Sequence, residues 1–420
     1  MLVYKFGGAS VKDAEGVRNL TYIVKKYDAK NLVVVVSAMA KTTNGLEELT
    51  NLYVSESPSL WVKFDALKTF HYDLCRELFD TEQHDIYNRI ENIFNELSLI
   101  LRKQPTLNFD FDYDQIVSFG EILSTKIIAA YLNENDVPVQ WKDIRKYLKT
   151  DSSYREAKVD WELSTRLVQQ NMPADVPGMY ITQGFLGSTT NNLTTTLGRE
   201  GSDYTAAILA HILDAEKVII WKDVPGVLNA DPKWFDDTEL LPRLSYLDAI
   251  ELAYYGASVI HPKTIQPLQN KNIRLFIKSF LKPDAPGTEV ANLSYEKLVP
   301  SFIFKIDQVL LQVQPRDFSF IAEDNLEIIF KAFASHGLRI NLMQNTAIGF
   351  RVCINNDQTR IPRVLSELEK NFKVTSETAL ELITIRYYDD QTIARVLVNK
   401  SLLLEQKTRQ TIQLVVKDLG

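Results

Sequence analysis

Cysteine is scarce in this chain of 420 residues: there are two, Cys75 and Cys353, far apart and in no metal or disulfide spacing. Five histidines supply no transition-metal cluster and no Cys–His pair for nucleophilic catalysis. No apolar run reaches the roughly 18 residues that a membrane-spanning helix needs. The N-terminus has no basic patch leading into an apolar core, so no signal peptide is expected. Basic excess is missing too, since the net charge of −7 argues against a general nucleic-acid surface. No G-x-S-x-G nucleophile elbow occurs. These absences leave a protein expected in a reducing cytoplasm, with neither nucleic acid nor membrane as partner.

What is present is the balance of an ordinary globular protein, 45% hydrophobic and 24% charged, at a length that allows two or three domains. Val3–Phe6 reads as a strand and "GVRNLTYIVKKYDA" has helical spacing. "NLVVVVSAM" is a continuous β-branched run of the kind found in a sheet covered on both faces. Strand, glycine turn, helix and strand open an α/β sheet. From Leu46 to about Leu101 the pattern is helical; "QIVSFGEILSTKIIAAYLNENDV" is expected as a further helix, "VPVQWKD" and "MYITQGFLG" as strands. The helix "GSDYTAAILAHILDA", the strand "EKVIIWKDV", then "LDAIELAYYGASVI" and "RLFIKSF" continue the alternation.

The texture then changes. "LKPDAPGTEVANLSYEKLVP" carries three prolines, which places a boundary near Asn292–Ser301. Beyond it, "FIFKIDQVLLQVQ", "LEIIFKAFASHG", "LRINLMQNTA", "GFRVCIN" and "IPRVLSELEKNF" follow the βαββα order of a small ferredoxin-like sandwich. The segment from "LELITIRYYDD" to "TIQLVVKD" reads as an incomplete second copy.

Glycine, lysine and arginine at strand ends carry the chemistry. In "KFGG", Gly7 and Gly8 let backbone approach an anion and Lys5 can reach a phosphate, although the lysine precedes the glycines, unlike the G-x-x-x-x-G-K-[ST] loop. The plainer reading is a tight turn beside an exposed lysine. In "TTLGREGSDYTAAILA", Gly198 and Gly201 flank Arg199, and Ser202-Asp203 opens a helix whose N-terminus is a ready anion site. There, too, Ser202 or Asp203 can be a simple cap. "VIIWKDVPGVLNADPK" puts Lys222 and Asp223 just past a buried strand, at the edge where open α/β sheets bind ligands, with Lys233 following on the loop. Glu121 in "SFGEILS" can merely complement a helix dipole, and His261-Pro262-Lys263 reads as a loop. Together these residues form the vocabulary of phosphoryl transfer.

In this order, "KFGGAS", "VVSAMAKTTN", "SFGE", "GREGSD", "WKDVPGVLNADPK" and "ELAYYGASVIHPKT" resemble the aspartate kinases of the amino-acid kinase superfamily over about Leu2–Thr288. The C-terminal part resembles that family's ACT-type regulatory region. The resemblance implies a three-layer α/β kinase sheet sandwiched by helices, over 1–292, and a ferredoxin-like (ACT) α+β region over 301–420, its second copy truncated. It implies transfer of the ATP γ-phosphoryl group, with Mg²⁺, to the side-chain carboxylate of L-aspartate, giving 4-phospho-L-aspartate on the way to lysine, threonine and methionine. A carboxylate with a pKa of about 3.9 is already ionised at neutral pH, so such a reaction needs positioning and charge neutralisation rather than a base.

By the same resemblance Lys5 neutralises the transferring group, Gly7 and Gly8 give it close backbone contact, and Asp203 orients the lysine. Arg199 holds the α-carboxylate of aspartate and Glu121 its α-ammonium, with Thr43 and Ser202 nearby. Lys222, Asp223, Leu228, Lys233 and Lys263 fall on nucleotide-binding positions, Mg²⁺ arrives with the nucleotide, and a homo-oligomer through the C-terminal region is implied. This chain departs from the family pattern at Ala9 (usually threonine), Glu200 (usually glycine), Lys222 (often threonine) and Leu228 (often tyrosine). Other readings are a kinase for another amino acid such as glutamate and a catalytically silent, amino-acid-binding regulatory subunit; whether lysine or threonine inhibits is left open.

Overall fold

The β-branched runs at the start of the chain lie in the middle of a sheet, as a run apolar on both faces requires. The arrangement comes from a computed structural model that describes residues 1–27, 31–81, 83–235, 237–257, 260–294, 299–317 and 319–419. Outside these lie Asp28 and Ala29 of the first expected helix, Ser258 and Val259 of the "GASVIHPKT" segment, and residues 295–298 of the expected boundary.

By its internal contacts the chain divides into two units. One contains Met1–Val227, Pro242–Ile250 and Ser258–Ser294; the other contains Leu228–Leu241, Glu251–Ala257 and Tyr295–Gly420. The first unit is built on strands β1 (Leu2–Phe6), β2 (Asn31–Val36), β3 (Gln140–Lys142), β4 (Gly178–Gln183), the β5–β6 ribbon (Leu186–Ser188 and Thr194–Thr196), β7 (Lys217–Lys222), β8 (Arg243–Ser245), β9 (Arg274–Ser279) and β10 (Thr288–Ala291). Eight of these form one sheet in the order β3-β4-β2-β1-β7-β9-β10-β8. Every pairing in it is parallel except that of β9 with β10. The chain first builds from β1 toward β2 and later adds β7 on the other side of β1, which makes β1 the switch point where open parallel sheets bind ligands beyond their carboxyl ends.

Helices cover this sheet. Ala14–Lys26 begins at Asp13, whose side chain accepts from the Gly16 N–H at 2.8 Å, and ends in Lys25 and Lys26, so cap and dipole agree. The expected helical stretch after Leu46 is three helices, Thr42–Val54, Leu60–Leu78 and Asp85–Leu101. Two expectations are corrected. The segment read as one helix from Gln115 to Val137 is two, Phe109–Val117 and Phe119–Glu134, hinged at Ser118. The strand read through "MYITQGFLG" stops at Gln183, because Phe185 takes a positive φ of 70° and turns the chain into the β5–β6 ribbon.

The second unit is antiparallel throughout. Strands β11 (Ser301–Pro315), β12 (Ile340–Thr346), β13 (Gly349–Asn355), β14 (Phe372–Arg386), β15 (Lys400–Lys407) and β16 (Thr411–Asp418) pair in the order β12-β13-β11-β14-β16-β15. The two long central strands, 15 residues each, slip register between Lys305 and Leu310, and each half of them serves a different core. On one side Val309, Leu311, Val313, Ile329, Phe333 and Val364 pack under helices Glu323–Ser335 and Ile361–Leu368. On the other, Phe302, Ile383, Ile385, Leu414 and Val416 pack with Val396 of the helix Asp390–Val396, and Ala230 and Phe235 join them. Among the described residues no helix is long and apolar enough to cross a membrane.

Candidate active site

Parallel strands end on one side, so the residues just past β1, β2 and β7 are delivered to the same place. Beyond these ends lies a cavity of about 950 Å³. Its wall includes Lys5 in β1 with Gly7 and Gly8 after it, Ser37 after β2, and Lys222 at the end of β7 with Asp223 after it. Helix starts supply the rest: Thr43 from Thr42–Val54, Glu121 from Phe119–Glu134, and Ser202 and Asp203 from Gly201–Ile212, with Arg199 just before it. Ten residues singled out in the sequence (Lys5, Gly7, Gly8, Thr43, Glu121, Arg199, Ser202, Asp203, Lys222 and Asp223) thus line one cavity. Lys263 lies in the first turn of Pro262–Asn270, where its N–H donates to His261 Nδ1 at 3.2 Å. Leu228 and Lys233 belong to the second unit, where Leu228 bridges Leu240 and the Lys233 N–H donates to Asp231 at 2.9 Å.

Space explains Gly8. A Cβ on Gly8 would stand 2.5 Å from the Ala38 carbonyl oxygen, and one on Gly7 would stand 3.4 Å from the Lys5 ammonium. Close backbone passage at Gly8 lets the turn fold over the end of β2, where the Ala40 N–H donates to the Gly8 carbonyl at 3.0 Å.

Charge at the floor of the cavity is organised around Asp203, which is almost wholly buried. Its Oδ1 lies 2.5 Å from Lys5 Nζ and its Oδ2 lies 3.1 Å from Lys222 Nζ, so one carboxylate bridges two ammoniums. Burial alone would raise its pKa; the two cations outweigh that and hold it at about 2. Lys222 is desolvated as well, yet Asp203 and Glu200 hold its pKa above the usual lysine value. The Asp203 helix starts at Glu200, in a left-handed conformation with φ of 54°.

Glu121 presents the opposite situation. Its Oε1 accepts from the Ala38 N–H at 3.3 Å, while Oε2 is buried with no hydrogen-bond partner among the described residues. Burial without a cation pushes the carboxyl up to about 8, against the opposing pull of its own backbone N–H, the Ala38 N–H and the Thr43 hydroxyl. A buried carboxylate oxygen with nothing to accept from is a vacancy for a positive group. Gly120 allows this placement, because a Cβ there would come within 2.9 Å of Ala38 Cβ.

Other cavity residues carried no sequence signal. Tyr113, Tyr154, Arg155 and Phe185 line the wall. The Arg155 guanidinium rests 4.3 Å from the centre of the Tyr113 ring and within 3.6 Å of Glu47 and 3.5 Å of Asp110. The Arg155 N–H donates to Asp114, a carboxyl that burial raises to about 6. Arg155 sits at positive φ (66°) in "SSYREAKVD", a stretch whose letters suggest only a polar loop.

Residues 1–279 match the amino acid kinase family. The chain is 31% identical to lysine-sensitive aspartokinase 3 of Escherichia coli K12, covering 92% of this chain and 86% of that protein. It is 28% identical to the bifunctional aspartokinase/homoserine dehydrogenase of Daucus carota, where 88% of this chain spans only 42% of the relative. Its structure resembles that of E. coli aspartokinase III in complex with aspartate and ADP, with a TM-score of 0.83, 28% identity, and coverage of 99% of this chain and 96% of that one. A cavity that gathers the bridged lysines with an unpartnered carboxylate, on this fold and at this similarity, leaves one assignment: the chain belongs to the amino acid kinase family, among its aspartokinases.

Proposed function

We infer that this chain phosphorylates the side-chain carboxylate of L-aspartate from ATP, releasing ADP and 4-phospho-L-aspartate. The observation that carries the reading is a single cavity holding both the Lys5–Asp203–Lys222 cluster beside Gly7 and Gly8 and the Glu121–Arg199 pair. The first set suits phosphate and the second suits the two charges of an amino acid.

In this reading the γ-phosphoryl lies over Gly7 and Gly8 with its equatorial oxygens toward Lys5. The Lys5 ammonium is held by Asp203 and needs no reorganisation as charge shifts. Glu121 takes the α-ammonium of aspartate on its vacant oxygen and Arg199 takes the α-carboxylate, with Thr43 and Ser202 beside them. The free carboxylate then attacks phosphorus in line; a new O–P bond forms as the bond to the bridging oxygen of ADP breaks. Lys222 and Asp223 lie on the nucleotide side of the cavity, and Leu228, Lys233 and Lys263 are assigned to the nucleotide by resemblance. The donors suit Mg²⁺ that arrives on the phosphates: Asp203 is already held by two ammoniums, and Asp223 is an exposed carboxylate on the cavity wall. The ion would neutralise phosphate charge, and the side chains do the positioning.

For the second unit we propose an ACT-type role in amino-acid sensing and in pairing two copies of the chain. Its sheet ends in β12 and β15, open edges that carry the exposed Met343 and Leu402. Sedimentation at working concentration should show a dimer; a monomer overturns the pairing. Two buried free thiols, Cys75 and Cys353, suit the reducing cytoplasm proposed for it. The experiment for the reaction is ADP release measured with aspartate, glutamate and acetylglutamate. Turnover with aspartate above both others is expected; silence with all three points to a regulatory subunit instead.

A further inference from the structure

Glu200 is a residue that neither the reaction nor the helix it starts requires. It occupies a left-handed backbone conformation (φ of 54°), which disfavours a side chain by about 1 kcal/mol or more. The usual return for a polar residue at a helix start is a cap, yet its side chain makes no capping hydrogen bond. Instead the carboxylate turns into the cavity wall. Its Oε2 is buried, accepts no hydrogen bond from any described residue, and lies 3.8 Å from Lys222 Nζ.

Four charged groups meet here: Lys5 and Lys222, Asp203 and Glu200. Asp203 alone engages both ammoniums, at 2.5 and 3.1 Å, so it already aims them. Glu200 stands beside that bridge, interacting with Asp203 and with its Oε2 3.8 Å from Lys222 Nζ. It has the negative charge and acceptor oxygens that a phosphate also has, within reach of Lys222.

We propose that Glu200 is an internal competitor for the nucleotide: its carboxylate holds the Lys222 ammonium while the cavity is empty and yields it to the phosphates of ATP or ADP. Glu200 is thus a positioning residue acting through Lys222, and it weakens nucleotide binding and speeds ADP release. The inference rests on the reading of this cavity as the nucleotide site. Burial, opposed by Lys222 and reinforced by Asp203, raises the Glu200 pKa, so acid releases its hold. The other charged groups around it are Arg199 and Asp203 from its own segment, Lys5 in β1, Lys222 at the end of β7 with Asp223 after it, and Glu156, whose side chain packs on Gly198.

The test is ADP binding by calorimetry to the full chain, with steady-state constants for ATP and aspartate. Glu200→Gln should tighten ADP about fivefold, as loss of a partly screened ion pair implies, and lower KM for ATP with KM for aspartate unchanged. Glu200→Gly, which also relieves the backbone, should do the same and guards against a folding artefact. Lys222→Met should weaken ADP, and in that background Glu200→Gln should change nothing. Because its pKa is raised, the ratio of wild-type to Glu200→Gln dissociation constants should fall toward one as the pH is lowered and Glu200 takes up its proton. Unchanged or weaker ADP binding by both Glu200 variants overturns the proposal, as does an equal effect with Lys222 already removed. Failure of the wild-type chain to bind ADP at all would instead overturn the nucleotide reading itself.

Discussion

The two units handle buried charge differently. In the first, Asp114 and Lys149 are buried on structural partners, but Lys5, Glu121 and Asp203 are buried facing one cavity. In the second, the buried guanidinium of Arg386 pairs with Glu251 and donates to Thr411 Oγ1 at 3.3 Å, so its charge is spent on neighbours within the unit. Strand direction accounts for the contrast. Parallel strands end together, and whatever follows them collects at a single edge; antiparallel strands end alternately, so their polar residues are dispersed and find separate structural partners. Where many buried charges converge on space rather than on one another, chemistry is the expected use.

Lys5→Ala is the strongest way to break this contrast. It should lower kcat by about 100- to 1,000-fold with a small change in KM for aspartate, because it removes a preorganised cation aimed at the transferring group. A loss of less than tenfold would make Lys5 a structural lysine like Arg386 is a structural arginine. Next, Glu121→Gln should raise KM for aspartate about tenfold or more while kcat falls less. Glu121 has its pKa at about 8 in the empty site, so at pH 7 it is mostly protonated, and pairing with an ammonium ionises it. Aspartate binding near pH 7 should therefore release close to one proton, measured by calorimetry in buffers of different ionisation enthalpy, and the variant should release none from this position. Heats identical in every buffer would remove the ammonium from Glu121.

The same group gives a stability signature of defined sign. Its folded pKa is raised from 4.5 to about 8, so its contribution is full below about pH 4.5 and is lost as pH rises through about 8. Glu121→Gln without ligand should melt above the wild type at pH 9 and with it at pH 4. A variant less stable at pH 9 would show that the carboxylate has a partner in the empty protein. The smallest effect on turnover is expected in the second unit. Glu251→Ala removes the carboxylate paired with the buried Arg386 guanidinium and should destabilise that unit by about 2 kcal/mol, while kcat stays within about twofold. Lost turnover with melting unchanged would dissolve the division of roles.

Much of the fold was legible because the signals are local. The β-branched runs at Val33–Val36 and Val218–Trp221 and the glycine pair after Phe6 each state their own conformation. The hinge at Ser118 was not: both flanking helices are apolar enough to read as one, and only packing turns the second so that Glu121 enters the cavity. Arg155 was hidden for a related reason. Its value depends on Tyr113, Glu47 and Asp110, which are distant in sequence.

The departure at Glu200 shows where the boundary lies. In the chain Glu200 stands next to Arg199. In the structure its partner is Lys222 rather than the arginine, and the two departures from the family pattern face each other at 3.8 Å. The sequence by itself determined the alternation of elements, the glycine turns and the residue types at strand ends, since these follow from side-chain period and backbone sterics within a few positions. Only the tertiary structure decided which charges meet, which are neutralised and which are left open to a ligand. Those outcomes depend on distance and solvent exclusion between segments far apart in the chain, as where Lys5 meets Asp203 and Lys222.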